Sequence, residues 1–284
     1  MPLSGFEHTQ LVDGLPVRLK APHDFSFLRR WGRAVRVLDS LISGNLGFVV
    51  EGASGRLFIK YAGAATLGYA DAPQGAADRL RAALPRYLRL GGGLLQRPID
   101  SLDLGAGFAL AFPFLDAEPL PGGENGLDAI AAWPLVHRLA ALDALFELIE
   151  RAAEQDDIVA GLDGSHMMVS PLSRRLYLTS VDRFIRMPWR NAGGRIPGTA
   201  RFIAPEGFIP YAPIDERTAV YAMGALALAV LPDMPTARRR GAHPLSGLSA
   251  IAHKALLHSP DQRQQTAEAF LDAWRGAVRA MPLE

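Results

Sequence analysis

The apolar pattern of this chain changes character at one place, the Pro- and Gly-rich stretch Pro113-Phe-Leu-Asp-Ala-Glu-Pro-Leu-Pro-Gly-Gly123. Before it, short β-branched and aromatic runs alternate with glycine turns. Arg36-Val-Leu-Asp-Ser-Leu-Ile42 leads into a Gly44-Asn-Leu-Gly47 turn, and Phe48-Val-Val50 into a Gly52-Ala-Ser-Gly55 turn, before Leu57-Phe-Ile-Lys60. Such runs predict an antiparallel meander. Residues 76–90 predict a helix with Leu80, Leu84, Tyr87 and Leu88 on one face, kinked or split at Pro85 and ended by Gly91-Gly-Gly93. A second strand pair is expected at 99–104 and 107–112. Beyond the stretch the period becomes helical. One long helix is expected over 129–154, then a small hairpin over 169–183 that turns at Pro171-Leu-Ser-Arg174. Further helices are expected at 219–231, 248–257 and 266–278, the last started by Thr266. The order predicts an α+β protein: an N-terminal antiparallel sheet with one helix over 1–113, and a mainly helical part over 114–284. A crevice between two such lobes is a natural ligand site.

Composition narrows the classes. Of 284 residues 49% are hydrophobic, enough for a sizeable core and against wholesale disorder. A net charge of +1 argues against a nucleic-acid partner. With no cysteine, disulfides, thiolate metal sites and cysteine nucleophiles are excluded, which fits a reducing cytoplasm. The start, Met1-Pro-Leu-Ser-Gly-Phe-Glu-His8, shows no basic region followed by an apolar core. The longest apolar run, 220–231, is broken by Gly224 and ends at Pro232, too short to span a bilayer. The chain is therefore expected in the cytoplasm, with no membrane association. Lysine occurs only at positions 20, 60 and 254, and this arginine- and alanine-rich usage suggests a GC-rich bacterial genome.

Several landmarks fall in one order. Ile42-Ser-Gly44-Asn-Leu-Gly47-Phe-Val49 is a glycine-rich turn in which backbone N–H groups can approach phosphates with no Cβ in the way. Lys60 ends an apolar strand, where an ammonium must snorkel or meet an anion. Gly198-Thr-Ala-Arg-Phe-Ile-Ala204-Pro205-Glu206, Asp215-Glu-Arg-Thr-Ala-Val-Tyr-Ala-Met-Gly224 and Ser259-Pro-Asp-Gln-Arg263 follow. Together they resemble the glycine-rich loop, the V-A-I-K strand, the G-T-x-x-Y-M-A-P-E segment and the closing helices of serine/threonine protein kinases, over about residues 35–274. Lys60-Tyr-Ala-Gly63-Ala64 is similar to a bacterial branch of that superfamily.

The resemblance implies a two-lobed protein-kinase-like fold. It implies that Gly44, Gly47, Val49 and Lys60 line an ATP site and that Glu206 and Arg263 form a buried ion pair. It also implies that Asp215 braces the backbone of the catalytic loop. The first helix contains no Glu to pair with Lys60, so Asp78, its only acid, is the candidate partner.

The chemistry departs from the family at two places. Phosphoryl transfer needs a carboxylate to orient the attacking hydroxyl and carboxylates to hold Mg²⁺. In Val159-Ala160-Gly161-Leu162-Asp163-Gly164-Ser165-His166 one alignment puts Ala160 at the base position and another puts Gly161 there, with His166 in place of the Asn. Asp163 survives, although Asp-Gly-Ser alone is also a turn sequence. In Leu178-Thr-Ser180-Val181-Asp182-Arg183-Phe184 the metal-binding Asp is either replaced by Ser180 or is Asp182 itself. The first expectation is a pseudokinase, a binding or regulatory module with a protein partner and at most weak ATP binding. The second is an active atypical phosphotransferase, in which Asp163 orients the acceptor, Asp182 holds Mg²⁺ and Lys60 meets the phosphates. The third is an interaction protein with no nucleotide.

Overall fold

The computed structural model describes residues 7–41, 43–53, 55–121, 123, 126–181, 184–235 and 243–281. The chain divides into two compact units, one of residues 1–92 and 96–116, the other of 93–95 and 117–284.

The first unit is built on five antiparallel strands in the order β3 (Arg33–Leu38), β4 (Asn45–Gly52), β5 (Gly55–Ala62), β7 (Phe108–Pro113), β6 (Asp100–Asp103). The Gly52–Gly55 turn sets the β4–β5 register, which places Gly47 directly opposite Lys60 and Val49 opposite Phe58. Directly opposed residues share a sheet face, as do residues two apart on a strand. Gly47, Val49, Phe58, Lys60, Leu110 and Phe112 therefore lie on one face. Helix α1 (Pro73–Leu90) packs on β5 and β7, with Tyr87 edge-on to Phe112 at 5.3 Å.

The other face is covered by residues ahead of the sheet. β1 (His8–Val12) and β2 (Leu15–Leu19) form a hairpin whose two turn residues, Asp13 and Gly14, both have positive φ (53° and 88°). This is the Asp-Gly turn that suits a two-residue hairpin. Val17, Leu19, Phe25 and Leu28 pack there with Phe48, Val50, Ile59 and Tyr61 in one cluster. Val12, Val17, Leu19, Phe25, Leu28 and Trp31 thus belong to the core of this unit.

The second unit is mainly helical. β8 (Glu118–Pro119) pairs with β10 (Met167–Val169), which pairs with β11 (Leu176–Leu178). β9 (Asp157–Val159) pairs with β12 (Phe184–Arg186), and β13 (Trp189–Arg190) with β14 (Pro213–Ile214). The helices are α2 (Leu127–Ile130), α3 (Leu135–Ala153), α4 (Glu216–Val230), α5 (Ser246–Ala255) and α6 (Ala267–Arg279). Phe146 of α3 meets Phe270 and Trp274 of α6 edge-on at 5.1 and 5.2 Å, which fixes that helix pair. Among the described residues, no helix is long and apolar enough to cross a membrane.

Three local expectations change. The first helix runs unbroken through Pro85, because Pro85 is exposed on the solvent side, where a lost backbone bond is tolerated while Leu80, Ala83 and Tyr87 stay buried. The single helix expected over 129–154 is two, divided before Pro134; a residue preceding proline is pushed out of helical geometry, and proline opens the next helix. Finally, Asn45 to Gly47 belong to strand β4 rather than to a turn.

Candidate functional site

The glycine-rich segment is closed by the protein's own side chains. A Cβ on Gly47 would meet the Phe58 ring at 2.9 Å and Leu38 at 3.0 Å, on the sheet face that carries Lys60. Gly44 has φ +80°, and a Cβ there would meet the Tyr69 ring and Ala76 of α1 at 2.8 Å. Arg79 of α1 stacks on that ring at 5.0 Å, donates to Tyr69 Oη at 2.7 Å and donates to the Ser43 carbonyl at 3.1 Å. The turn before β4 is thus pinned to α1. Val49 is buried beside Phe58 in register, and Lys60 is 8% exposed. The ring of Phe58 thus lies over Gly47, on the face that carries Lys60.

Among the described residues Asp78 is an exposed acid on α1 that accepts from Arg81 at 2.7 Å and Gln74 at 2.8 Å. Residues i and i+3 of a helix face each other, which makes Arg81 the near partner.

In the second unit Asp163 is 1% exposed and opens a 3-10 turn, Gly164–His166. Its Oδ1 accepts from the Ser165 N–H at 3.0 Å and from the Ser165 hydroxyl, and lies 3.1 Å from His166 Nδ1. Its Oδ2 accepts from Thr199 Oγ1 at 2.8 Å. An ionised carboxylate only accepts, so the His166 ring carries its proton on Nδ1. Burial pushes the Asp163 carboxyl up, but the bonds from His166, Ser165 and Thr199 together outweigh it and hold the group well below the usual carboxylate range.

The neighbouring backbone is equally tight. Gly161 (φ +65°) and Gly198 (φ +139°) cross so closely that a Cβ on Gly161 would meet the Pro197 carbonyl oxygen at 2.4 Å. A Cβ on Gly198 would meet the Gly161 carbonyl oxygen at 2.5 Å. Ala160 is buried as well. The Gly161 position has no room for a reaching side chain. Ser180 is buried just after β11. Asp182 lies outside the described residues. Among the described residues no group of three His, Asp or Glu side chains converges as a metal-ion site.

Glu206 and Arg263 form a two-pronged pair at 2.8 and 2.9 Å, with the Arg263 side chain fully buried. The other three guanidinium N–H groups donate to the carbonyls of Arg217, Leu257 and His258, so all five donors are used. Thr218 adds a bond to Glu206 at 2.8 Å. Asp215 caps α4 by accepting from the Arg217 N–H at 3.0 Å and pairs with the Arg217 guanidinium at 2.6 Å. No bond from Asp215 to the backbone of 160–166 is present among the described residues, so its work here is to start α4.

Sequence reasoning missed Phe58, Tyr69 and Arg79. Phe58 was accessible: counting back equally from the Gly52/Gly55 turn sets Gly47 against Lys60, and period two puts Phe58 beside them. Tyr69 and Arg79 carry no such signal, since they meet Gly44 only through the docking of α1.

An antiparallel N-terminal sheet bearing one helix, followed by a helical part stapled by Glu206 and Arg263, defines a protein-kinase-like α+β fold. The solved structures agree. A double mutant of the Mycobacterium tuberculosis PknI kinase domain is similar with a TM-score of 0.55 at 17% identity, over 87% of this chain and 95% of that chain. The unmutated Mycobacterium tuberculosis PknI kinase domain gives a TM-score of 0.54 at 16% identity, over 86% of this chain and 95% of that chain. No protein-family model matches the chain. No curated protein matches it.

Proposed function

We propose that this chain is a kinase-fold binding or regulatory module that works through a protein partner in the cytoplasm and has little or no phosphotransferase activity. The observation that carries the reading is Asp163. It is the one carboxylate left in the catalytic stretch, and it is buried with both oxygens committed to donors from Ser165, His166 and Thr199. A carboxylate held well below its usual range is a weak base, and both oxygens of this one already accept from neighbouring residues. The closed backbone at Gly161 and the buried Ala160 support the same reading.

Phe58 over Gly47 argues that ATP binds weakly or not at all. Were nucleotide held, Lys60 is the residue that would meet its phosphates, and Mg²⁺ would depend on Asp182.

The test is thermal denaturation of the full chain with ATP, with and without Mg²⁺, for the wild type and Phe58→Ala, beside transfer of radiolabelled phosphate to a generic protein substrate. The reading expects no metal-dependent rise and no transfer in the wild type, and a nucleotide-dependent rise that appears on opening Phe58→Ala. A metal-dependent rise with transfer that is lost in Asp163→Ala or Asp182→Ala replaces it with the phosphotransferase.

A further inference from the structure

The segment after Glu206 runs Phe208-Ile-Pro-Tyr211, and all four residues are exposed, Phe208 by 42%, Ile209 by 51% and Tyr211 by 67%. Four consecutive exposed apolar residues are rare on a folded surface unless they meet something. A loose loop would let them turn inward. This loop is held from below instead.

Asn191 is fully buried and donates its side-chain amide to the carbonyls of Gly207 and Ile209 at 2.9 and 3.1 Å. Its backbone bonds Ala212, Tyr211 and Gly194. Tyr211 is kept at φ +61°, a left-handed conformation that is unfavourable for a non-glycine residue. Strain of that kind persists where the surroundings over-determine it, and it clusters at binding sites. The effect is to present the Tyr211 ring to solvent on a rigid base.

Two arginines frame the patch. Arg195 lies over the Phe208 ring at 5.8 Å, and Arg190 donates to the Tyr211 carbonyl at 3.2 Å. Both are exposed, and neither meets a carboxylate among the described residues. Arg190 also borders a cavity of about 610 Å³ whose lining includes Asp156, Met187, Trp189, Ile214 and Asp215. Aromatic side chains and arginine are the residues most enriched at energetic centres of interfaces, and a preset surface lowers the ordering cost of binding.

We propose that Phe208, Ile209 and Tyr211, framed by Arg190 and Arg195, form a preorganised docking surface for an acidic protein segment carrying an aromatic or branched aliphatic anchor. The two guanidinium groups select the negative charge, and the exposed rings take the anchor. This goes beyond the reading above, since the surface lies outside the glycine and Asp163 regions and stands whether or not nucleotide binds.

The test pans a phage library of random twelve-residue peptides on the full chain and measures the synthetic consensus peptide by fluorescence anisotropy. Enriched peptides are expected to combine an anchor with Asp or Glu. Binding should fall by about tenfold or more in Phe208→Ser and Tyr211→Ser, as for an interface hot spot. Arg190→Glu with Arg195→Glu should weaken the acidic peptide and favour its Lys-substituted counterpart. Tyr211→Gly separates binding from folding: glycine accepts the positive φ, so stability should hold or rise while binding is lost. No enrichment, a consensus without acids, or equal binding to the serine variants overturns the proposal. So does sedimentation showing a wild-type dimer that Tyr211→Ser dissolves, which would assign the surface to a second copy of this chain.

Discussion

The glycine-rich hairpin and the Glu206–Arg263 region are both spelled by kinase-like motifs, yet they have been filled in opposite ways. Around Gly44 and Gly47 the open positions are occupied by Phe58 and Tyr69, and the turn is tied down by Arg79. Around Glu206 each polar group meets a protein partner, down to the fifth N–H of Arg263. The contrast follows from what each position faces. A buried ion pair cannot lose one member without stranding a charge. A surface meant for a ligand can be covered by an aromatic ring, and the protein gains packing by doing so. Asp163 stands between the two cases: it sits in a stretch that resembles the kinase catalytic loop, and it accepts from Ser165, His166 and Thr199.

The strongest way to break this contrast is to attack the ion pair. Arg263→Met should cost about 3–5 kcal/mol by leaving Glu206 buried and unpaired, read as the urea midpoint followed by tryptophan fluorescence. A loss below about 1 kcal/mol would mean the region is no firmer than the hairpin.

Next comes Asp163→Asn, expected to cost about 1.5–3 kcal/mol, because three residues donate to the charged form. The folded carboxyl titrates below its unfolded value of about 3.9. Its contribution is therefore complete above that value and is lost as pH falls toward the lower folded one. Acid unfolding curves of the variant should lack that limb.

A smaller effect tests the filled hairpin. Gly47→Ala should cost about 1–2 kcal/mol in the wild type, since its Cβ presses on the Phe58 ring. In a Phe58→Ala background the same change should cost less, a coupling of about 1 kcal/mol in a double-mutant cycle. Additive values would show that the ring does not fill that space.

The smallest concerns the hairpin that backs the sheet. Burial holds His23 below its ordinary range, and its Nε2 lies 2.6 Å from the Tyr61 hydroxyl. The unfolded chain therefore takes up the proton first as pH falls below about 6.5. Unfolding free energies at pH 5 and 7.5 should differ less in His23→Gln than in the wild type, by under about 1 kcal/mol, read from urea midpoints.

Much of this architecture can be read along the chain where the controlling interactions are local. Gly52 and Gly55 set a turn, the turn sets the register, and the register puts Gly47 against Lys60. The Asp13-Gly14 turn announces the first hairpin by the same logic, although nothing local says that its strands cover the back of the sheet. Pro85 misleads because a proline is disruptive or harmless according to which side of the helix faces water. A helix also offers each acid its own neighbours, as Asp78 finds Arg81 and Gln74.

Motif order, the strand and helix periods and the absence of a base at Ala160 or Gly161 come from the residues in line, since each depends on types and spacing within one stretch. Whether Asp163 is a base or an anchor, whether the glycines stay open, and whether Phe208 to Tyr211 face outward depend on residues far away in sequence. Thr199, Phe58 and Asn191 decide those outcomes. Hydrogen bonds and van der Waals exclusion act within a few ångströms of space, and only folding brings such residues that close.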